Sequence, residues 1–306
     1  MDHHLLEVGG ARVSRREDLR LVTGAGKYAS DWNLPGQLHA HFLRSDRAHA
    51  SIVSINVEPA LRHPVVVRVF TGVDAVGAGY IKPMTMLTFK GKDGMQVRVP
   101  ERPVLAHGRV RCVGEPVAMV VAETALIAQD AAELIEVEYE ELPVVIDPED
   151  ALAPGAPQLH ENVPGNLPFE FEAGDRAATE AAFATAAHVT RLKLEVTRVA
   201  PNPMETRACL VAYDASEGRY TVHVHVQGVN MMRKQLAAYT GVPEEKFRIM
   251  ARDVGGAFGQ RSLGYPEYCA QMLAAKAIGP VAAFRRRCRS TACADPCLSV
   301  SASRSP

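Results

Sequence analysis

Gly255-Gly256-Ala257-Phe258-Gly259-Gln260-Arg261 lies between a strand-like run holding Phe247, Ile249 and Ala251 and a helix-like run from Pro266 to Ile278. Glycines without Cβ atoms permit positive φ and close backbone approach, and their N–H groups, with a helix N-terminus, can face an anion. The stretch therefore reads as a loop for a phosphorylated or dinucleotide-type cofactor. It lacks both the Gly-x-Gly-x-x-Gly spacing of a nicotinamide site and the Gly-Lys-Ser/Thr ending of a nucleoside-triphosphate loop. Gly24-Ala25-Gly26-Lys27-Tyr28 fails the second pattern too, because no hydroxyl follows Lys27. The competing reading of Gly255–Gly259 is a structural turn around one buried Phe.

Outward from the loop, 306 residues are enough for two domains, and 47% hydrophobic with 23% charged residues is ordinary globular composition. A net charge of -1 provides no basic field for nucleic acid or anionic membranes. No apolar run reaches the roughly 20 residues of a membrane helix, and Met1-Asp2-His3-His4 lacks a secretory layout, so a cytoplasmic location is expected. Cys112, Cys209 and Cys269 sit singly in apolar surroundings, as buried reduced thiols do. Cys288, Cys293 and Cys297 crowd the end without any Cys-x-x-Cys, which argues against a metal site there.

Residues 12–145 read as a mixed α/β unit. Val110 to Val121 is an apolar run broken by Gly114 and Pro116, and Thr124 can cap a helix carrying Leu126, Ile127, Ala131, Leu134 and Ile135. A strand follows, with Val137 and Tyr139 on one face and Glu136, Glu138 and Glu140 on a solvated one. Residues 146–168 are rich in Pro, Gly, Asn and Ala and read as a linker. In a second unit, 169–279, Asp175 caps a helix to Ala187, and Thr190, Leu192, Leu194 and Val196 alternate as a half-buried strand. Tyr220, Val222, Val224 and Val226 share one strand face; Thr221, His223, His225 and Gln227 share the other. His223 and His225 could offer two imidazoles to a metal, but without a third ligand a solvated or hydrogen-bonded pair is the better reading. Asn230 to Tyr239 is helical and stops at Gly241. Residues 280–306, with Arg285-Arg286-Arg287 and many serines, have no apolar period and are not expected to pack as a core element.

Several motifs in succession resemble the molybdenum hydroxylase large subunits, the molybdopterin-binding chains of the xanthine dehydrogenase, aldehyde oxidase and aerobic carbon monoxide dehydrogenase family. They are Arg16-Glu17-Asp18, Leu21 to Tyr28, Pro35-Gly36-Gln37-Leu38, Arg44-Ser45-Asp46-Arg47-Ala48-His49-Ala50, Gly114-Glu115-Pro116-Val117-Ala118, Glu138 to Pro143, Arg198 to Glu205, and Gly255 to Gly259. The resemblance implies an α+β chain, an α/β hammerhead domain followed by the first part of a molybdopterin-binding domain. It implies a molybdenum–molybdopterin cofactor, with the cytosine dinucleotide form open, and contacts to it from Gln227, Gly255, Gly256, Ala257, Phe258 and Gly259. No direct metal ligand is implied. It further implies oxidation of an aldehyde, carbon monoxide or N-heterocycle, with iron–sulfur clusters and FAD carried by a small and a medium partner subunit. The family's catalytic glutamate lies far beyond the matching stretch and has no counterpart here, and Glu115 is not a substitute for it. The chain alone is therefore expected to be inactive, the alternative being a non-catalytic hammerhead module contacting an iron–sulfur subunit. Ser262 stands where some members carry a substrate-contacting glutamate.

The pattern ends abruptly after Gly279, which motivates the hypothesis of a reading-frame shift at that point. Translation of the other frames of the encoding DNA downstream of Gly279 is expected to restore a molybdopterin-domain sequence; if none does, there is no shift.

Overall fold

The computed structural model describes residues 15–80, 91–100, 102–194 and 201–278, with the backbone of Val281–Arg285. The first unit runs from α1 (Asp18–Val22) through strands β1 (Leu38–Arg44) and β2 (Ala50–Asn56), helix α2 (Glu58–Leu61), β3 (Val66–Thr71) and α3 (Gly72–Gly77). It continues with β4 (Arg109–Val110), β5 (Pro116–Ala122), α4 (Ala125–Glu133), β6 (Glu136–Glu141) and α5 (Pro148–Ala151). Then come α6 (Arg176–Thr185), β7 (Ala208–Asp214), β8 (Arg219–Val224), α7 (Val229–Thr240), β9 (Phe247–Met250), α8 (Pro266–Ile278) and β10 (Val281–Arg285).

Seven strands form one sheet in the order β3-β5-β1-β10-β7-β8-β9, and β4-β2-β6 form a small second sheet. Strands from both sequence units thus share a single sheet. β10 joins its halves, parallel to β1 with Leu38 opposite Ala282, and antiparallel to β7 with Val281 opposite Ala212. The expectation that nothing after Pro280 packs as a core element fails over Val281–Arg285. Residues short of apolar period still satisfy backbone donors and acceptors when two strand edges flank them. Residues 286–306, with their three cysteines, lie outside the described residues.

β5 is buried at every position, because both of its faces are covered. Met119 and Val121 pack with Phe42, Phe70 and α8 residues Tyr268 and Met272, while Ala118 and Val120 pack with Ala131, Ala132 and Ile135 around α4. Thr124 caps α4, its hydroxyl accepting the Ile127 N–H at 3.2 Å. α4 is short on large buried side chains: its alanines face the sheet, and Leu126 is left exposed. The glutamate stripe of β6 lies on the open face of the small sheet, where Glu138 and Glu136 accept from Ser54 and Asn56.

The stretch 146–168 is held down by polar contacts. The Asn166 amide donates to the carbonyls of Ala151 and Pro157 and accepts the Leu159 N–H, and Arg111 Nε donates to Leu159 O at 2.8 Å. Asp175 caps α6 as expected, accepting the Ala178 N–H at 2.9 Å. The strand expected from Thr190 does not form over the described residues to 194, where Leu192 and Leu194 are 77% and 75% exposed. Alternation makes a strand only where a partner edge exists, and among the described residues no strand pairs with these. Val196 and Arg198-Val199-Ala200 fall outside the described residues.

One buried ion pair ties the halves together. Glu267, in the first turn of α8, accepts from Arg44 at the end of β1, and the second Arg44 nitrogen donates to Gly114 O at 2.8 Å. Burial opposes ionisation of Glu267, yet the Arg44 and Arg207 guanidinium charges hold its carboxyl down at about 2. Replacing Arg44 with Met would strand that carboxylate; chemical denaturation is expected to show a loss of about 3–5 kcal/mol.

Candidate functional site

The Gly255 loop leaves the sheet after β9 and returns to it beside the end of β8, where the Gln227 N–H donates to Arg261 O at 3.0 Å. Its interior is closed by Gln260 N–H to Ala257 O at 2.9 Å and by Ser262 N–H to Gly259 O at 3.3 Å. Glycine is required at three places. A Cβ on Gly255 would lie 2.6 Å from Glu205 Cβ, and Gly256 and Gly259 sit at φ +94° and +87°. Phe258 also has positive φ, 48°, a conformation costly for an aromatic residue, and the residue is 72% exposed. The reading of this stretch as a turn around a buried Phe is therefore overturned.

Among the described residues, the N–H groups of Gly256, Ala257, Phe258 and Gly259 meet no protein acceptor. Gln227 is exposed next to them, its Oε1 accepting from Ser262 Oγ at 2.8 Å, so its amide N–H₂ remains available as a donor. The structure thus brings together all six residues expected to contact a cofactor. The helix contributes less than expected: the first turn of α8 carries buried Glu267, so that end of its dipole is matched within the protein.

Sequence reasoning missed the carboxylates behind the loop. Glu205, about 5% exposed in its side chain, accepts the Gly255 N–H at 2.8 Å and an Arg261 guanidinium nitrogen on Oε2, and the Ala29 N–H at 3.2 Å on Oε1. Arg261 also donates to Glu205 O at 2.6 Å. Burial pushes the Glu205 carboxyl up, but His225, the Gly255 N–H and Arg261 together outweigh it and hold the group at about 2. Asp253 accepts both Arg20 terminal nitrogens at 2.5 and 2.6 Å and the Lys27 N–H at 2.7 Å; these bonds, Arg20 foremost, lower its pKa to about 2. Charge alternation in the Arg16 to Tyr28 motif was the available signal, but nothing in it names a partner more than two hundred residues away.

His223 and His225 are not solvated: they are 6% and 2% exposed. His223 packs against Trp32 with ring centroids 4.2 Å apart and planes tilted by 36°, and Lys27 Nζ lies 4.0 Å over the same indole. His225 Nδ1 lies 3.6 Å from Glu205 Oε1 and 3.5 Å from the Ala208 N. Burial lowers the pKa of both rings, so they are neutral near pH 7. No group of three or more His, Cys, Asp or Glu side chains able to hold a metal occurs among the described residues. Cys209 and Cys269 are buried thiols whose pKa values burial raises, whereas Cys112 is half-buried. Glu115, with its pKa raised by burial, accepts the Arg111 N–H at 2.7 Å and so belongs to the β4–β5 turn. No described helix is long and apolar enough to cross a membrane.

The arrangement matches known proteins over both halves. Residues 23–143 match the aldehyde oxidase and xanthine dehydrogenase a/b hammerhead domain, and residues 159–293 the molybdopterin cofactor-binding domain. The chain is 36% identical to the carbon monoxide dehydrogenase large chain of Hydrogenophaga pseudoflava over 88% of its own length and 34% of that chain's. It is 38% identical to the nicotine 6-hydroxylase large subunit of Paenarthrobacter nicotinovorans, over 87% and 32%. Among solved structures, it superposes on reconstituted CO dehydrogenase from Oligotropha carboxidovorans with a TM-score of 0.82 at 32% identity, covering 91% of this chain and 35% of that one. For quinoline 2-oxidoreductase from Pseudomonas putida 86 the TM-score is 0.79 at 36% identity, covering 90% and 34%.

A hammerhead unit followed by a molybdopterin-binding unit defines the large-subunit class of molybdenum hydroxylases. This chain belongs to that xanthine dehydrogenase and aldehyde oxidase family, and it spans about a third of the length of the relatives it matches.

The depressed carboxyls set a pH window. A group bound near 2 in the folded protein and near 4.5 when unfolded stabilises the fold fully above about pH 5 and loses that contribution as pH falls toward 2. Denaturation midpoints are expected to be flat with respect to these groups from pH 8 to 5 and to fall steadily below it. Glu205→Gln should be less stable at pH 7 and show a shallower fall.

Proposed function

We propose that this chain forms one wall of a molybdenum–molybdopterin site in a hydroxylase that oxidises an aldehyde, carbon monoxide or N-heterocycle. The observation that carries the reading is the run of four N–H groups at Gly256–Gly259 that meet no protein acceptor among the described residues, beside the amide donors of Gln227. These residues fit an oxygen-rich, anionic group: they are donors without charge on a loop without acidic side chains. Gly255, Gly256, Ala257 and Gly259 would bring the backbone against the cofactor. Phe258, 72% exposed, would cover it from water, and Gln227 would donate a hydrogen bond to it. The bound group supplies two-electron oxidation with oxygen transfer to carbon.

Within this proposal the chain's own residues bind and orient; we assign no catalytic base among them. Ser262, whose hydroxyl is committed to Gln227, steadies that amide. It would also leave room where a carboxylate would otherwise meet substrate. The electron path runs through iron–sulfur and FAD-binding subunits, a small and a medium chain, and the working location is cytoplasmic. The domain limits 12–145, 146–168 and 169–279 are proposed on the same basis. The cytosine dinucleotide form is the proposed cofactor form.

The test is molybdenum and pterin content of the chain purified with the products of its neighbouring genes. Stoichiometric cofactor supports the proposal; an empty chain that still holds an iron–sulfur subunit supports a non-catalytic hammerhead module instead. Gly259→Ala, whose new Cβ enters open space at φ +87°, is expected to cost about 1–2 kcal/mol and to cut cofactor content sharply. Gly155→Ala, under similar strain at φ +81° and also in open space, should leave content unchanged.

A further inference from the structure

We propose that Glu205 is the positioning residue of the Gly255–Gly259 loop: both ends of the loop close on this one side chain and its backbone, which fixes the four N–H groups that meet no protein acceptor among the described residues. At the entry, Gly255 N–H donates to Glu205 Oε2 at 2.8 Å, and Glu205 N–H donates back to Gly255 O at 3.3 Å. At the exit, Arg261 donates one guanidinium nitrogen to the same Oε2 and another to Glu205 O. The remaining carboxylate oxygen takes the Ala29 N–H, which anchors the staple to the segment ahead of β1. His225, from the end of β8, backs the same oxygen at 3.6 Å.

The packing leaves little slack. Gly255 has no room for a Cβ against Glu205, and Pro203 Cβ lies 3.4 Å from where a Cβ on Gly256 would sit, so the turn rests on the 203–205 segment. Asp253, just ahead of the loop, is clasped by Arg20 and by the Lys27 N–H. With its two ends pinned, the loop can hold Phe258 at positive φ without contacts from its own ring to a buried core. A neutral or shorter side chain at 205 cannot make these closures together: an amide has one acceptor, so its NH₂ must face either the Ala29 N–H or the Gly255 N–H and Arg261 pair, and in both cases the Arg261 guanidinium loses its counter-charge.

The inference rests on the cofactor reading for its purpose, but its first readout is independent of it. Hydrogen exchange of the full chain without cofactor is expected to quicken about tenfold or more at Gly255, Gln260 and Ser262 in Glu205→Gln. Molybdenum and pterin content of the protein purified with its partners should fall in parallel. Val121→Ala, a cavity in β5 remote from the loop, should lower the melting temperature and change neither loop exchange nor content. In Glu205→Gln/Arg261→Met the buried unpaired guanidinium is gone, so the melting temperature should recover while loop exchange stays fast. If loop exchange returns to normal with the melting temperature, or never changes in Glu205→Gln, Glu205 acts only through stability and the proposal is overturned. If the loop loosens as expected but the unaltered chain takes no molybdopterin, the positioning role stands and the cofactor reading falls.

Discussion

A carboxylate taken out of water must find a cation or give up its charge, and this fold meets that constraint twice. Glu205 sits behind the loop with Arg261, and Glu267 sits under the sheet with Arg44. Neither pair is a cheap source of stability, since desolvation cancels most of the attraction. Their effect is on geometry. An apolar core would tolerate small slips of one layer over another, whereas a guanidinium and carboxylate that must meet in register do not. The end of β1 is thereby fixed relative to α8, and the loop relative to β7 and β8.

The same logic explains what was legible in the sequence. Local devices were readable because their causes are local: Thr124 before α4, Asp175 before α6, and Gly241 at φ +72° after α7 each appear where a capping residue meets an apolar period. β5 was visible as an apolar run because both of its faces are covered. The loop was visible as a donor-rich, glycine-bearing turn, and the family resemblance singled out Gln227 beside it. Features set by distant partners were not readable. The alternation at 190–194 looks like that of β8, but only β8 has neighbours on both sides. Whether His223 and His225 were solvated or hydrogen-bonded stayed open in the sequence, because nothing nearby announces Trp32 and Glu205 beside them.

The functional surface and the core obey opposite rules here. Core residues such as Tyr220, Met272 and Leu210 are buried and interchangeable in kind, so a composition argument reaches them. At the loop the backbone itself is the ligand surface. Its chemistry comes from which N–H groups are left unpaired, something that side-chain pattern records only as an excess of glycine.

β10 carries a consequence for how the chain is made. It lies between β1 and β7, so the strand nearest the end of the described chain completes a sheet begun at Leu38, with Leu38 pairing Ala282. During synthesis the first half of the sheet emerges long before the strand that joins it to the second, and each half waits with an open edge. Pairings of such sequence separation form slowly, because the intervening chain must be brought together first. The vulnerable period in the life of this protein is its birth: exposed edges of β1 and β7 must be shielded from other chains until β10 arrives.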